Sequence, residues 1–188
     1  MPLTTKAKKI LDSLKSPTKE ELRDALLQLD MSLAHFSSLP EPADQFPYNR
    51  RLLYKSEEVE LLVMNWSQLE CAPHDHGQSQ GWIQVLSGTS LNSVYELDEN
   101  GLPSEWFHEY HHEGKCYYAP KRGIHKMKAS NQTHLVTIHL YSPPITNMIV
   151  YDLEKCASCI VSDDCGAWWP KEQYQKVKEL KLKRDNVM

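Results

Sequence analysis

Two histidines, His74 and His76, stand two residues apart in the segment from Pro73 to Gly77. On an extended backbone, residues i and i+2 leave the same face, so both imidazoles point one way and Asp75 points the other. That is the spacing two ligands need to grip one metal ion. A third histidine, His125, follows a second strand-like run, close behind Pro120 and Gly123. A set of three imidazoles on one side of an ion leaves open positions. His35, His108, His111, His112 and His134 are read as ordinary core or surface side chains.

A second group with chemical potential lies in Thr133 to Tyr141. By period two, Thr137, His139 and Tyr141 share one face, and His134, Val136, Ile138 and Leu140 share the other. A solvated outer face would explain the polar set. A hydroxyl, an imidazole and a phenol in a row also make a hydrogen-bond relay, because one ring nitrogen of histidine can meet each hydroxyl. Pointed inward, Tyr141 would reach a ligand on the metal. Five cysteines include the run Cys156, Cys159 and Cys165, whose spacing fits zinc or a disulfide but has no obvious fourth ligand.

These side chains need a rigid frame. Short runs rich in β-branched and aromatic residues predict strands at Val59 to Trp66, Trp82 to Leu86, Ser90 to Leu97, Trp106 to Tyr110, Lys115 to Ala119, Lys126 to Ala129, Thr133 to Tyr141 and Met148 to Leu153. Turn residues separate them, most clearly from Asp98 to Gly101. Many short strands imply a sandwich or barrel. The N-terminal part, 1–38, reads as helical. Thr18 and Glu21 form a capping box, and Leu22, Ala25, Leu26, Leu29 and Leu33 an apolar stripe. Leu39 to Pro47 reads as a linker, 48–153 as the β domain, and 154–188 as an extension with a short helix in the tail from Pro170 to Val187.

At 188 residues the chain fits one domain with a substantial core. A formal charge of −4 without a dominant basic block argues against a nucleic-acid or anionic-membrane partner. No apolar run approaches membrane-span length, and MPLTTKAKK lacks a signal-peptide core. The expectation is a cytoplasmic monomer with reduced cysteines.

The glycines around the histidines resemble the two motifs of the cupin superfamily. His74, His76, Gly81 and Gly88 follow the first motif, and Gly114, Pro120, Gly123 and His125 the second. The resemblance implies a mainly β fold, a double-stranded β-helix or jelly-roll barrel. Gly81 replaces the glutamate ligand of most metal cupins, which leaves a three-histidine site. Five further features narrow the match: Pro47 to Arg50, Trp66, His74 to His76, Gly123 to His125, and His139 to Pro144. With these the chain resembles a bacterial-type cysteine dioxygenase from about Phe46 to about Tyr151.

That resemblance implies one Fe(II) per chain on His74, His76 and His125. It implies a small thiol substrate and O2, with L-cysteine converted to cysteine sulfinic acid. It places Tyr141 beside the reacting atoms, with His139 and Thr137 behind it. Arg50 would bind the substrate carboxylate, with Tyr48 nearby; Trp66 matches a family tryptophan beside the substrate site or is a plain core aromatic. Arg51 is the rival cation, but neighbours on an extended segment face opposite ways. Thr137 stands where vertebrate members have Ser. Gly81 stands where they have a Cys crosslinked to the Tyr, so that crosslink cannot form here. The alternatives are a dioxygenase for 3-mercaptopropionate, whose branch carries Gln in place of Arg50, and more distantly a non-oxidative metal cupin.

Overall fold

The coordinates are a computed structural model describing residues 4–36, 38–130 and 134–182. Two helices lead, α1 (Thr5–Asp12) and α2 (Lys19–Gln28). Twelve strands follow: β1 (Tyr48–Lys55), β2 (Glu60–Trp66), β3 (His74–Asp75), β4 (Gln80–Ser87), β5 (Thr89–Leu97), β6 (Pro103–His112), β7 (Cys116–Ala119), β8 (Ile124–Ala129), β9 (Val136–Ser142), β10 (Ile149–Asp152), β11 (Ala157–Val161) and β12 (Lys176–Lys181). They form a five-stranded sheet, ordered β1-β2-β9-β4-β7, and a seven-stranded sheet, ordered β12-β11-β10-β3-β8-β5-β6. The sheets pack as an unclosed double-stranded β-helix.

The strand period assigns side chains to two cores. Leu61 and Val63 of β2 and Val136, Ile138 and Leu140 of β9 face α2, where they meet Leu22, Ala25 and Leu26. Leu62, Met64 and Trp66 of β2 and Ile83 and Val85 of β4 face inward, toward Met127, Val150 and Cys159 of the other sheet. β2 and β9 are therefore buried on both faces, and the plain alternative of a solvated outer face for Thr137, His139 and Tyr141 does not hold. Thr133 lies outside the described residues.

α2 begins at a complete capping box. The Glu21 amide donates to Thr18 Oγ1 at 3.2 Å, and the Thr18 amide to Glu21 Oε2 at 2.7 Å. The indole of Trp82 donates to the Lys19 carbonyl at 2.8 Å and ties the helix start to β4. Thr18→Ala is expected to remove about 1 kcal/mol of stability, a fall of roughly 2–4 °C in the melting midpoint. Thermal unfolding measures this, and turnover should stay unchanged because the cap lies outside the sheets.

The expected helix in the tail is corrected. Gln173–Gln175 form one 3-10 turn, and Lys176–Lys181 are β12, antiparallel to β11 at the sheet edge. Residues 183–188 lie outside the described residues. Helix propensity in this Lys- and Glu-rich tail is a weak preference. Ladder hydrogen bonds to β11 outweigh it, and the lysines suit an exposed edge strand. β1, β3 and β11 were also absent from the predicted strands. The Ser142–Pro143 peptide is cis.

Candidate metal centre

β3 follows Pro73 directly and ends at a tight turn. Asp75 Oδ1 accepts the Gly77 amide at 2.7 Å. Gly77 has φ +60°, and a Cβ there would lie 2.7 Å from the Thr146 carbonyl oxygen, so the turn requires glycine. β3 lies between β8 and β10, and its register sets His74 directly opposite His125. His76 returns to the same side two residues after His74. One ring nitrogen from each of the three lies within 4.8 Å of the others, and all three side chains are buried. Asp75 points away and lines a groove with Arg122 and Tyr151 on the other face.

Hydrogen bonds aim the rings. His74 Nδ1 donates to the Ala72 carbonyl at 2.9 Å, and His125 Nδ1 donates to Asn92 Oδ1 at 2.9 Å. A proton held at Nδ1 leaves Nε2 as the lone-pair atom. Burial holds His74 down to about 4. It also holds His76 and His125 well below the usual imidazole range, helped by repulsion from neighbouring imidazoles. All three are therefore neutral near pH 7. Nε2 of His125 and Nε2 of His76 face each other at 3.4 Å. Three buried, neutral imidazoles with ring nitrogens this close fit a divalent metal. Among the described residues no carboxylate joins the group.

Asn92 was not foreseen from sequence. Its signal was a strand-depleted residue in mid-strand, on β5 and buried. Asn92→Ala is expected to weaken metal affinity by roughly 10–100-fold. Competition with a chelator would measure this, and unchanged affinity would remove Asn92 from the site.

The Thr137, His139 and Tyr141 face lies inside, beside the histidines. Thr137 Oγ1 is 2.7 Å from His139 Nε2, His139 Nδ1 is 3.0 Å from the Tyr141 hydroxyl, and that hydroxyl is 3.4 Å from His76 Nε2. Trp66 Nε1 donates to Thr137 Oγ1 at 2.8 Å. Gly81 sits opposite Tyr141 in the β4–β9 register. A Cβ at Gly81 would lie 2.3 Å from Tyr141 Cδ1. The tyrosine ring thus occupies the space that a side chain at position 81 would need.

Arg50 and Tyr48 come from β1. Both line the cavity at the histidines, about 20 Å³ in volume, room for an ion or one water. Arg50 also lines an adjoining chamber of about 230 Å³ with Lys55, Glu60, Ser162, Asp163 and Cys165. Its NH2 donates to the Asp163 carbonyl, and the Tyr48 hydroxyl accepts the Ala167 amide at 2.6 Å. The segment from Ser162 to Trp168 therefore closes over both residues. Arg51 faces elsewhere, donating to the Ser38 carbonyl at 3.4 Å with its guanidinium over Phe36. All five cysteines are free thiols. Cys156, Cys159 and Cys165 join no metal-ligand group among the described residues, and burial pushes Cys165 up to about 11.

Residues 34–154 match the family model described as cysteine dioxygenase type I. A curated protein, cysteine dioxygenase type 1 of Danio rerio, is 25% identical over 116 residues. The match spans 58% of this chain and 58% of that protein. Among solved structures, KdgF from Halomonas sp. aligns with TM-score 0.45 at 15% identity, over 56% of this chain and 88% of that one. An uncharacterized conserved protein with a double-stranded β-helix domain from Klebsiella pneumoniae aligns with TM-score 0.46 at 14% identity, over 60% and 90%.

Proposed function

The chain belongs to the cysteine dioxygenase type I family, and from that premise we propose that it is a non-haem Fe(II) thiol dioxygenase converting L-cysteine and O2 to cysteine sulfinic acid. The observation that carries the reading is the buried set of three neutral imidazoles, joined by no carboxylate among the described residues. Ferrous iron on the Nε2 atoms of His74, His76 and His125 would supply a Lewis-acidic, electron-donating centre for the thiol and dioxygen. Three neutral ligands leave the charge of a divalent ion uncompensated, so the site draws an anionic thiolate.

Arg50 is the cation for the substrate carboxylate. Its guanidinium offers a planar fork, and it stands between the small inner cavity and the outer chamber. The inner cavity has room for the ion, and a thiol reaching it from the outer chamber keeps its charged tail beside Arg50. Tyr141 lines the same cavity, where its hydroxyl would hydrogen-bond to the substrate sulfur. Both oxygen atoms go to sulfur, which loses four electrons as dioxygen gains four, so no external reductant is consumed. The setting this implies is a cytoplasmic monomer acting on small thiols, with no nucleic-acid or membrane partner. Among the described residues no helix is long and apolar enough to cross a membrane.

The test is oxygen uptake by iron-loaded and zinc-loaded protein on L-cysteine, cysteamine and 3-mercaptopropionate, with product identified by mass spectrometry. The iron form should yield the sulfinate with cysteine preferred, and the zinc form should be inert. Equal turnover with zinc, or no uptake with any thiol, would sink the reading.

A further inference from the structure

Behind the three histidines, four buried side chains form one hydrogen-bonded file: Trp66, Thr137, His139 and Tyr141. Each proton in such a file needs an acceptor, because a buried unpaired donor keeps its full desolvation cost. The indole N–H only donates. Its 2.8 Å contact therefore makes Thr137 Oγ1 an acceptor. Thr137 still has one hydroxyl hydrogen to place. Among the described residues, the polar atom in reach apart from the indole is His139 Nε2, at 2.7 Å.

His139 Nε2 must then accept, and its proton must sit on Nδ1. From there it is donated to the Tyr141 oxygen at 3.0 Å. The Tyr141 oxygen is satisfied from behind, so its own hydrogen points forward. On that side lies His76 Nε2, at 3.4 Å. The opposite order fails at Thr137. If His139 carried its proton on Nε2, Thr137 would receive two hydrogen bonds and have no outlet for its own hydrogen.

We infer that Trp66 is a positioning residue whose donor-only N–H fixes the direction of this file, so that Tyr141 is held as a donor toward the histidine site. This rests on the dioxygenase reading above and deepens it: the hydroxyl is pre-set to meet an anionic sulfur before substrate arrives. Without the indole N–H, Thr137 can donate to a water admitted where the indole nitrogen stood, or weakly to the sulfur of a benzothienyl ring. His139 is then free to carry its proton on Nε2, and the Tyr141 hydroxyl can turn back onto His139.

The test uses the full chain, 15N-labelled and loaded with zinc, a diamagnetic ion. Long-range proton–nitrogen correlation reads which ring nitrogen of His139 is protonated. The wild type should show Nδ1–H and a bare Nε2. Trp66→Phe should populate the Nε2–H form. So should benzothienylalanine at position 66, which keeps the ring shape and replaces N–H by sulfur, and which guards against misfolding of the first variant. In the iron form, both changes should lower kcat about tenfold, the order expected for one lost hydrogen bond, with KM for cysteine nearly unchanged. A wild type with Nε2–H overturns the direction. An unchanged tautomer in both variants overturns the role of Trp66. A wild type with Nδ1–H and no oxygen uptake supports the direction and sinks the dioxygenase reading alone.

Discussion

Alanine in place of His74, His76 or His125 is expected to abolish bound metal and dioxygen uptake together. The three side chains are the whole ligand group among the described residues, with no carboxylate to substitute for a missing imidazole. Loss of a partner that only orients a ligand costs roughly 10–100-fold in affinity or activity, so loss of a ligand should exceed about 100-fold in each variant. His74 and His125 are opposite each other across the β3–β8 register, and truncating either leaves the other facing His76 alone. The backbone hydrogen bonds of the strands remain, so circular dichroism should show a folded protein. Metal content by elemental analysis and oxygen consumption by electrode are the paired readouts. A variant that kept full metal and full turnover would show that its histidine is not a ligand.

Arg50→Ala should lower the specificity constant for L-cysteine by about one to two orders of magnitude. A hydrogen bond to a charged group contributes roughly 1.5–3 kcal/mol, and each 1.36 kcal/mol is a factor of ten. Cysteamine has no carboxylate, so its specificity constant should change little and the gap between the two thiols should close. Arg50→Gln keeps neutral donors and should move relative preference toward 3-mercaptopropionate. Arg50→Lys keeps the charge but loses the planar fork, so it should recover only part of cysteine turnover. The guanidinium also donates to the Asp163 carbonyl. Alanine there should loosen the segment from Ser162 to Trp168, visible as faster amide exchange in it. Unchanged ratios among the three thiols across these variants would show that Arg50 does not read the carboxylate.

Much of the site was legible because strand side chains alternate. Period two alone put Thr137, His139 and Tyr141 on one face, set Asp75 against His74 and His76, and separated Arg50 from Arg51. The capping box at Thr18 and Glu21 is equally local, and it is present as read. The glycine and proline framework identified the fold because it marks turns at fixed offsets from the ligands. Trp66 was placed near the site by resemblance, but its bond to Thr137 was not foreseen.

The tail misled because its signal is weak and its partner distant. Lys176–Lys181 read as helical, yet β11 offers a ladder and the chain takes it. Asn92 is an ordinary side chain until the β5–β8 register brings it beside His125. The contacts that close over Arg50 and Tyr48 come from the Asp163 carbonyl and the Ala167 amide. Backbone groups of this kind occur at almost every residue, so no side-chain pattern announces them. The sequence by itself determined which side chains share a face, because that follows from the repeat of a single strand. Which faces meet, which backbone atoms cover the site and how little room lies between them were decided only in the tertiary structure, since each depends on the register between strands far apart in the chain.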